Sequence, residues 1–515
     1  MPGTPIALDS LTRAVIEAGA MGVASWTTSA IECRLPREEI PALADRLATL
    51  GVSCQFLAAA DTRATGGDFT LAYVFAPPRL APAVTVLVAV PAAAACFPSL
   101  ATRSFAASRF EREVHDLFGL VPHGHPDLRR LPLHHPLRRD AAPRTDFIDA
   151  GEPFPFRHVE GEGIFEITVG PVHAGIIEPG HFRFSVEGET IVNLETRLGF
   201  VHKGTEKLFE KLPFDRTPAL AERISGDTSL GHVLAHCQAL EALAGCPVPP
   251  RAGRLRVVLL ELERIYNHVG DVGMIINDTG FSFGHAHCFR IREELLRLNE
   301  RLTGHRLLRG AVVPGGVTGP IVAASLPEAA TTVEKLVAEF VEIARLCLDN
   351  TTVLERLQGT GRLSPATATE MQVVGLVGRA SGIDADVRRD APFAAYGEAE
   401  MRVPVYETGD VWARTMVRID EAREAARLIR TTAGRGAEGT TRVPLPPLTA
   451  GAQAWRGPVW HWVLADGPAS LGRVKVVDPS FRNWPALAYA VLKNIVPDFP
   501  LCNKSFNLSY SGNDL

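Results

Sequence analysis

RLRVVLLELERIYNHVGDVGMIIND, residues 254–278, carries apolar side chains on most faces of a helix. A helix hydrophobic nearly all round is buried, so this stretch predicts a central core helix. The helical pattern extends on both sides of it, from about 200 to 435. REELLRLNERLTGHRLLRG (292–310) and AATTVEKLVAEFVEIARLCLDNTTVLERL (329–357) predict long amphipathic helices. GRGAEGTTRVPLPPLTAGAQAWRGP (434–458) reads as a loop, with a closing β segment and an irregular tail after it.

Upstream the pattern changes. FEITVGPVHAGIIEPGHFRFSVEGETIVNLETRLG (165–199) alternates as short strands between Gly and Pro turns. Residues 1–145 read as a small α/β domain. PREEIPALADRLATLG predicts an amphipathic helix ending at Gly51, and DFTLAYVFA and VTVLVAV read as strands. SFAASRFEREVHDLFG predicts a second helix, its charge run facing solvent, and HGHPDLRRLPLHHPLRRD (123–140) reads as a connector. The fold class expected is α+β: a small α/β domain over 1–145, then a mainly helical domain over 155–515 with a small β region at its start.

At 515 residues the chain exceeds one ordinary core. Hydrophobic residues make up 46% and charged residues 22%, the balance of a soluble globular protein. A net charge of −5 gives no electrostatic reason to expect nucleic acid as a partner. The eight cysteines form no CxxC pair, which excludes a zinc knuckle and fits a reducing compartment. MPGTPIALDS shows no secretory signal, and prolines at 82, 91 and 98 break the longest apolar run. Membrane contact is therefore expected through partners.

Several residue groups could carry chemistry. RISGDTSLGH (223–232) opens a helix with Arg223, Ser225, Thr228 and His232. His232 and His236 lie one turn apart, a spacing that suits either a metal or a hydrogen-bonded pair; no third ligand accompanies them. HAHC (285–288) is also ligand-rich; it reads as a loop that either holds a metal or packs through its polar side chains. GPVHAGIIEPGH carries His173, Glu178 and His181; turn chemistry accounts for its glycines and prolines but not for His173 and His181. Lys203 and Glu206 would be a routine ion pair on a surface and a proton-active pair in a crevice. Nothing here forms a Gly-rich nucleotide fingerprint.

Together these strings resemble a known family. FEREVHDLFGLVPHGHPDLRR resembles the signature of the 30 kDa subunit of respiratory complex I. GPVHAGIIEPGHFRF, GFVHKGTEKLFEK, ERIYNHVGDVG, INDTGFSFG and ERLTGHRLLRGAVVPGG resemble the 49 kDa quinone-site subunit, itself similar to the large subunit of nickel-iron hydrogenases. One chain carrying both parts resembles the large subunits of formate hydrogenlyase and hydrogenase-4-type complexes, the membrane-bound group 4 class.

The resemblance implies four nickel-ligand positions, two at the 223–232 helix start and two in NLSYSG (507–512). They hold Ser225, Thr228, Ser509 and Gly512 in place of thiolates. Hydroxyls are poor ligands for a soft centre and glycine offers none, so no metal is expected. Nickel-bearing relatives carry a removable tail; this chain ends at Leu515, and no such processing is expected. The resemblance further implies a crevice with His173, Glu178, His181, Lys203, Glu206 and Arg223 as candidate cavity residues. It implies His232 and His268 near a [4Fe-4S] cluster on an iron-sulfur small subunit, and a quinone or other acceptor. No cofactor of the chain's own is expected. Antiporter-like membrane subunits would be further partners, at the cytoplasmic face of the membrane. Glu178-Pro179 stands where complex I relatives carry a histidine before the glycine, and their opposing tyrosine is not evident between 223 and 232. A non-catalytic coupling subunit is the alternative, and an active hydrogenase with other ligands a third.

Overall fold

The computed structural model describes residues 6–27, 30–131, 154–173, 177–318, 325–435, 439–444, 456–467 and 470–515. Parts of the expected connector (132–140) and of the 434–458 loop lie outside them.

The N-terminal region is built on a five-stranded sheet: β1 (Met21–Thr27), β2 (Ala30–Arg34), β3 (Ser53–Asp61), β4 (Asp68–Ala76) and β5 (Ala83–Pro91), in the order β1-β2-β5-β4-β3. β2 and β5 pair in parallel and the other neighbours antiparallel. β5 alternates buried and less buried positions, so its valines Val84, Val86, Val88 and Val90 enter the core. The Phe105–Phe118 helix packs on β3. Ser104 caps it by accepting from the Ala107 N–H, and Gly119 ends it in the left-handed region.

The charge run on that helix does not face solvent. Glu111 is fully buried, accepting from Ser99 Oγ at 2.5 Å and the Leu100 N–H at 2.6 Å. Glu113 pairs with Lys475 at 2.7 Å, and Asp116 accepts from the Leu131 N–H. These carboxylates meet donors from distant segments, which a local pattern does not reveal.

A three-stranded antiparallel sheet follows, with His181–Glu187 between Ile164–Val169 and Thr190–Arg197. The chain then becomes helical. The Pro250–Asp278 helix lies at the centre, packed by Val411–Ala433 and Ser282–Thr303. HAHC is not a loop; it lies in the first turns of Ser282–Thr303. Gly284 and Cys288 are its buried positions, and a Cβ on Gly284 would stand 2.7 Å from Cys347 Sγ and 2.8 Å from Ile276 Cγ2. The glycine permits the close crossing. Leu326–Leu348 and Thr351–Leu357 are separate helices, the second capped by Asn350. The β segment Trp460–Ala465 with Leu471–Val477 and the helices at 479–513 complete the chain.

Charges inside the helical core are paired. Glu421 accepts from Arg264 at 3.1 Å, from His268 Nε2 at 2.8 Å and from Arg379. Arg388 bridges Asp386 and Glu261. Mutual pairing of this kind offsets the cost of burying these ions.

Candidate functional site

The Ser229–Leu243 helix begins after Thr228, with Ser225 just ahead of it. The C-terminal tail is folded against this start. Ser509 caps the Tyr510–Asn513 turn, accepting from the Gly512 N–H at 2.9 Å, and its carbonyl accepts from Trp484 Nε1 at 3.3 Å. Ser225 Oγ and Ser509 Oγ then lie 2.9 Å apart. Arg456 enters the same space. Its Nη1 donates to Asp227 Oδ1 and Thr228 Oγ1, each at 2.7 Å, its Nη2 to Asp227 Oδ2, and its Nε to the Asn507 carbonyl at 2.7 Å. Gly375 packs on the backbone of Arg456. With φ at +69° it accepts a left-handed conformation, and a Cβ there would stand 1.8 Å from the Arg456 carbonyl oxygen.

Gly512 lies against Asp478, with a hypothetical Cβ 2.7 Å from Asp478 Cγ. Asp478 is fully buried; its Oδ2 lies 3.0 Å from His232 Nε2 and its Oδ1 accepts from the Ser480 N–H at 2.7 Å. His232 Nδ1 lies 3.4 Å from His461 Nε2, and His236 Nε2 2.9 Å from Thr217 Oγ1. His232 and His236 are therefore both buried and hydrogen-bonded, each to its own partner. Behind the helix start, both Glu263 carboxyl oxygens accept from the Leu230 and Gly231 N–H groups, at 2.7 and 2.9 Å.

The charges respond to this packing. Burial pushes the Asp227 pKa up, but Arg456 with the Ser225 and Thr228 hydroxyls outweighs it and brings it down to about 2. Asp478 is likewise lowered, with His232 and Arg456 overcoming burial. Burial dominates at Glu263 and raises it to about 8 despite the two backbone donors. Burial also pushes His236 down to about 3 and His461 well below the usual imidazole range.

The candidate cavity residues fall into two sets. Glu178 Oε2 accepts from the Ser511 N–H at 3.0 Å, tying the GPVHAGIIEPGH turn to the tail. Lys203 Nζ donates to the carbonyls of Arg223 and Ile224 at 3.1 and 3.3 Å. Burial lowers the Lys203 pKa, opposed by Glu178 and Asp514. The exposed His173 ring lies 6.4 Å from the Tyr510 ring, centre to centre. Arg223 is exposed, its guanidinium donating to the Ala219 carbonyl. Of these four residues, Glu178 and His173 meet the tail, Lys203 holds the carbonyls just ahead of the helix start, and Arg223 bonds within its own segment. Glu206 and His181 do not join them. Glu206 does not pair with Lys203; it is buried among Arg473 (2.6 Å), Lys475 (3.1 Å) and the Val476 N–H. His181 begins its strand and packs on Phe156. His268 is fully buried against Glu421, and neither it nor His232 presents an atom to solvent in the chain alone.

Five polar residues of the site carry no local signal. Asp227 and Glu263 lie inside strings whose other members draw the eye, Asp478 stands at the end of the closing β segment, and Arg456 sits in a stretch that reads as a loop. Tyr510 stands within NLSYSG, its ring 6.4 Å from that of His173.

The residues that meet here do not fit a nickel-iron centre. Two hydroxyls bond directly to each other, a third bonds a guanidinium, and the fourth position has no side chain and abuts a carboxylate. Among the described residues, no helix is long and apolar enough to cross a membrane.

Residues 33–147 match the family described as respiratory-chain NADH dehydrogenase, 30 Kd subunit, and residues 278–450 the family described as respiratory-chain NADH dehydrogenase, 49 Kd subunit. Formate hydrogenlyase subunit 5 of Escherichia coli is 33% identical over 477 residues, covering 88% of this chain and 83% of that protein. Hydrogenase-4 component G of the same organism is 32% identical, covering 81% and 76%. A chain of the membrane-bound sulfane sulfur reductase, an archaeal respiratory membrane complex, superposes with a TM-score of 0.63 at 25% identity, covering 70% of this chain and 100% of that one. The chain therefore belongs to the family that fuses complex I 30 kDa and 49 kDa subunits in one polypeptide, related to the large subunits of formate hydrogenlyase and hydrogenase-4.

Proposed function

We propose that this chain is a nickel-free, hydrogenase-related subunit of a membrane-attached, respiratory-type oxidoreductase complex. It receives electrons from a [4Fe-4S] cluster on an iron-sulfur partner and passes them to a quinone or another acceptor. Antiporter-like membrane subunits couple this step to ion translocation, and the chain lies at the cytoplasmic face. The observation that carries the reading is the direct Ser225–Ser509 hydrogen bond beside Arg456: the positions that would ligate a metal satisfy one another and a guanidinium.

Reduction of a quinone takes two electrons and two protons, so the acceptor needs proton donors beside it. Tyr510, His173, Glu178 and Lys203 stand together at the tail and are the groups assigned that role.

The test is metal content. The complex is purified from membranes through a tag on this chain, and nickel, iron and sulfide are measured per chain. Nickel near zero with iron and sulfide present is expected. Nickel near one per chain would overturn the reading. A second reading, coupling without turnover, draws on the same Ser225–Ser509 contact, because side chains fill the space a reacting group would use. Acceptor reduction by the purified complex separates the two.

A further inference from the structure

A cleft of about 670 Å³ opens between the sheet region and the helical region. Val52, Ser53 and Leu80 line one side, and Val374, Ile383 and Val387 the other. A mainly apolar concavity with a few placed polar groups is the usual form of a small-molecule site.

Arg482 supplies the polar group. It lines the cleft and is only 5% exposed. Its Nη1 donates to Gln55 Oε1 at 2.8 Å and its Nη2 to the Gln372 carbonyl at 2.7 Å. Both partners are neutral. Its Nε–H meets no acceptor among the described residues. Burial accordingly pulls its pKa down to about 10, with the Cys54 thiol acting weakly the other way. Arg379, also lining the cleft, has a second Nε–H without an acceptor among the described residues, although Glu421 and Asp386 neutralise its charge. Arg103 is paired with Asp45, and Glu370 is exposed. Among the described residues, one buried positive charge is thus left uncompensated at the cleft. A buried ion without a counter-charge is costly, and an anion in the cleft offsets that cost.

The Gln372 backbone is held in place by its own side chain. It takes φ of +53°, a conformation uncommon for glutamine. Its side-chain oxygen accepts from Ser104 Oγ at 2.7 Å and from the Ala106 N–H at 3.2 Å, and its amide donates to Ser53 Oγ at 2.7 Å. These bonds fix the carbonyl that holds Arg482. Local strain of this kind collects at ligand clamps.

We propose that the cleft binds an organic monoanion: a carboxylate seated on Arg482, with an apolar body against Val52, Leu80, Val374 and Ile383. One uncompensated charge calls for one negative charge, and the apolar walls call for a body without polar groups. This inference stands apart from the metal content of the Ser225–Ser509 site.

The test uses the purified native complex and labelled decanoate in equilibrium dialysis, with decanol and inorganic phosphate as competitors. Saturable binding is expected. It should weaken about ten-fold or more in Arg482→Gln, the effect of losing a charged hydrogen bond. Because that variant also loses the Gln55 and Gln372 contacts, Ile383→Trp provides a second arm: it puts a bulkier side chain on the wall against which the apolar body is proposed to lie, keeps Arg482, and should also weaken binding. Neither decanol nor phosphate should compete. Absence of saturable binding, binding unchanged in Ile383→Trp, or competition by phosphate as effective as by decanoate would each overturn the proposal.

Discussion

Arg456 and Asp227 lie 229 positions apart in the chain, yet the guanidinium Nη1 stands 2.7 Å from the carboxylate Oδ1. The bond joins the end of one loop to the start of a helix. Arg456→Met removes it and leaves a partly exposed carboxylate held only by neutral donors such as the Ser225 and Thr228 hydroxyls. A loss of about 2 kcal/mol is expected, from a charged hydrogen bond part-screened by solvent. The pH dependence has a definite sign. The folded pKa of Asp227 is depressed to about 2, so the contribution is complete above the unfolded carboxyl pKa of about 4 and fades as pH falls toward 2. Denaturation of the wild type and Arg456→Met across that range should show the two converging at the acid end.

Glu263 has the opposite sign. Its folded pKa is raised to about 8, so its favourable contribution is full below about pH 4 and is lost as pH climbs through 8. Glu263→Gln cannot ionise. The melting temperature of the variant should fall less steeply than that of the wild type between about pH 5 and pH 8. Parallel slopes would show that this carboxyl does not carry the dependence.

Gly512→Ala places a methyl group 2.7 Å from the Cγ of Asp478, whose carboxylate is fixed by His232 and Ser480. Neither side is free to yield. A destabilisation of about 1–3 kcal/mol is expected, as for other overpacked interiors. Chemical denaturation reads it directly, and Ser511→Ala, one position away, serves as the comparison.

Tyr510→Phe addresses the proposed proton delivery. The hydroxyl accepts one long bond, from Asn503 Nδ2 at 3.4 Å, so its removal should change stability little. Acceptor reduction by the purified complex should nonetheless fall about a hundred-fold, the usual effect of losing a positioned acid. Turnover at the wild-type rate would remove Tyr510 from that role.

Much of the architecture is legible where periodicity is strong. The central helix announces itself because 22 of its residues are buried, and β5 because its valines alternate. The HAHC stretch misleads because Gly280 and Gly284 together look like loop punctuation. Gly280 does end a helix in the left-handed region, whereas Gly284 lies inside the next one, where the crossing with Ile276 and Cys347 leaves no room for a Cβ. Charge misleads in the same way at Glu111 and Glu113, whose donors come from Ser99 and Lys475. At the candidate site, the replaced positions Ser225, Thr228, Ser509 and Gly512 are visible from residue type and spacing. The side chains that complete them are not, because Arg456 and Asp478 reach the helix start only through long-range folding.

A positive charge carried on Arg456 is made with the polypeptide. It needs no delivery protein, no insertion step and no oxidation state, and a chelator cannot withdraw it. The space between the helix start and the tail is occupied by side chains of the chain itself, and a guanidinium there keeps its charge across the physiological pH range.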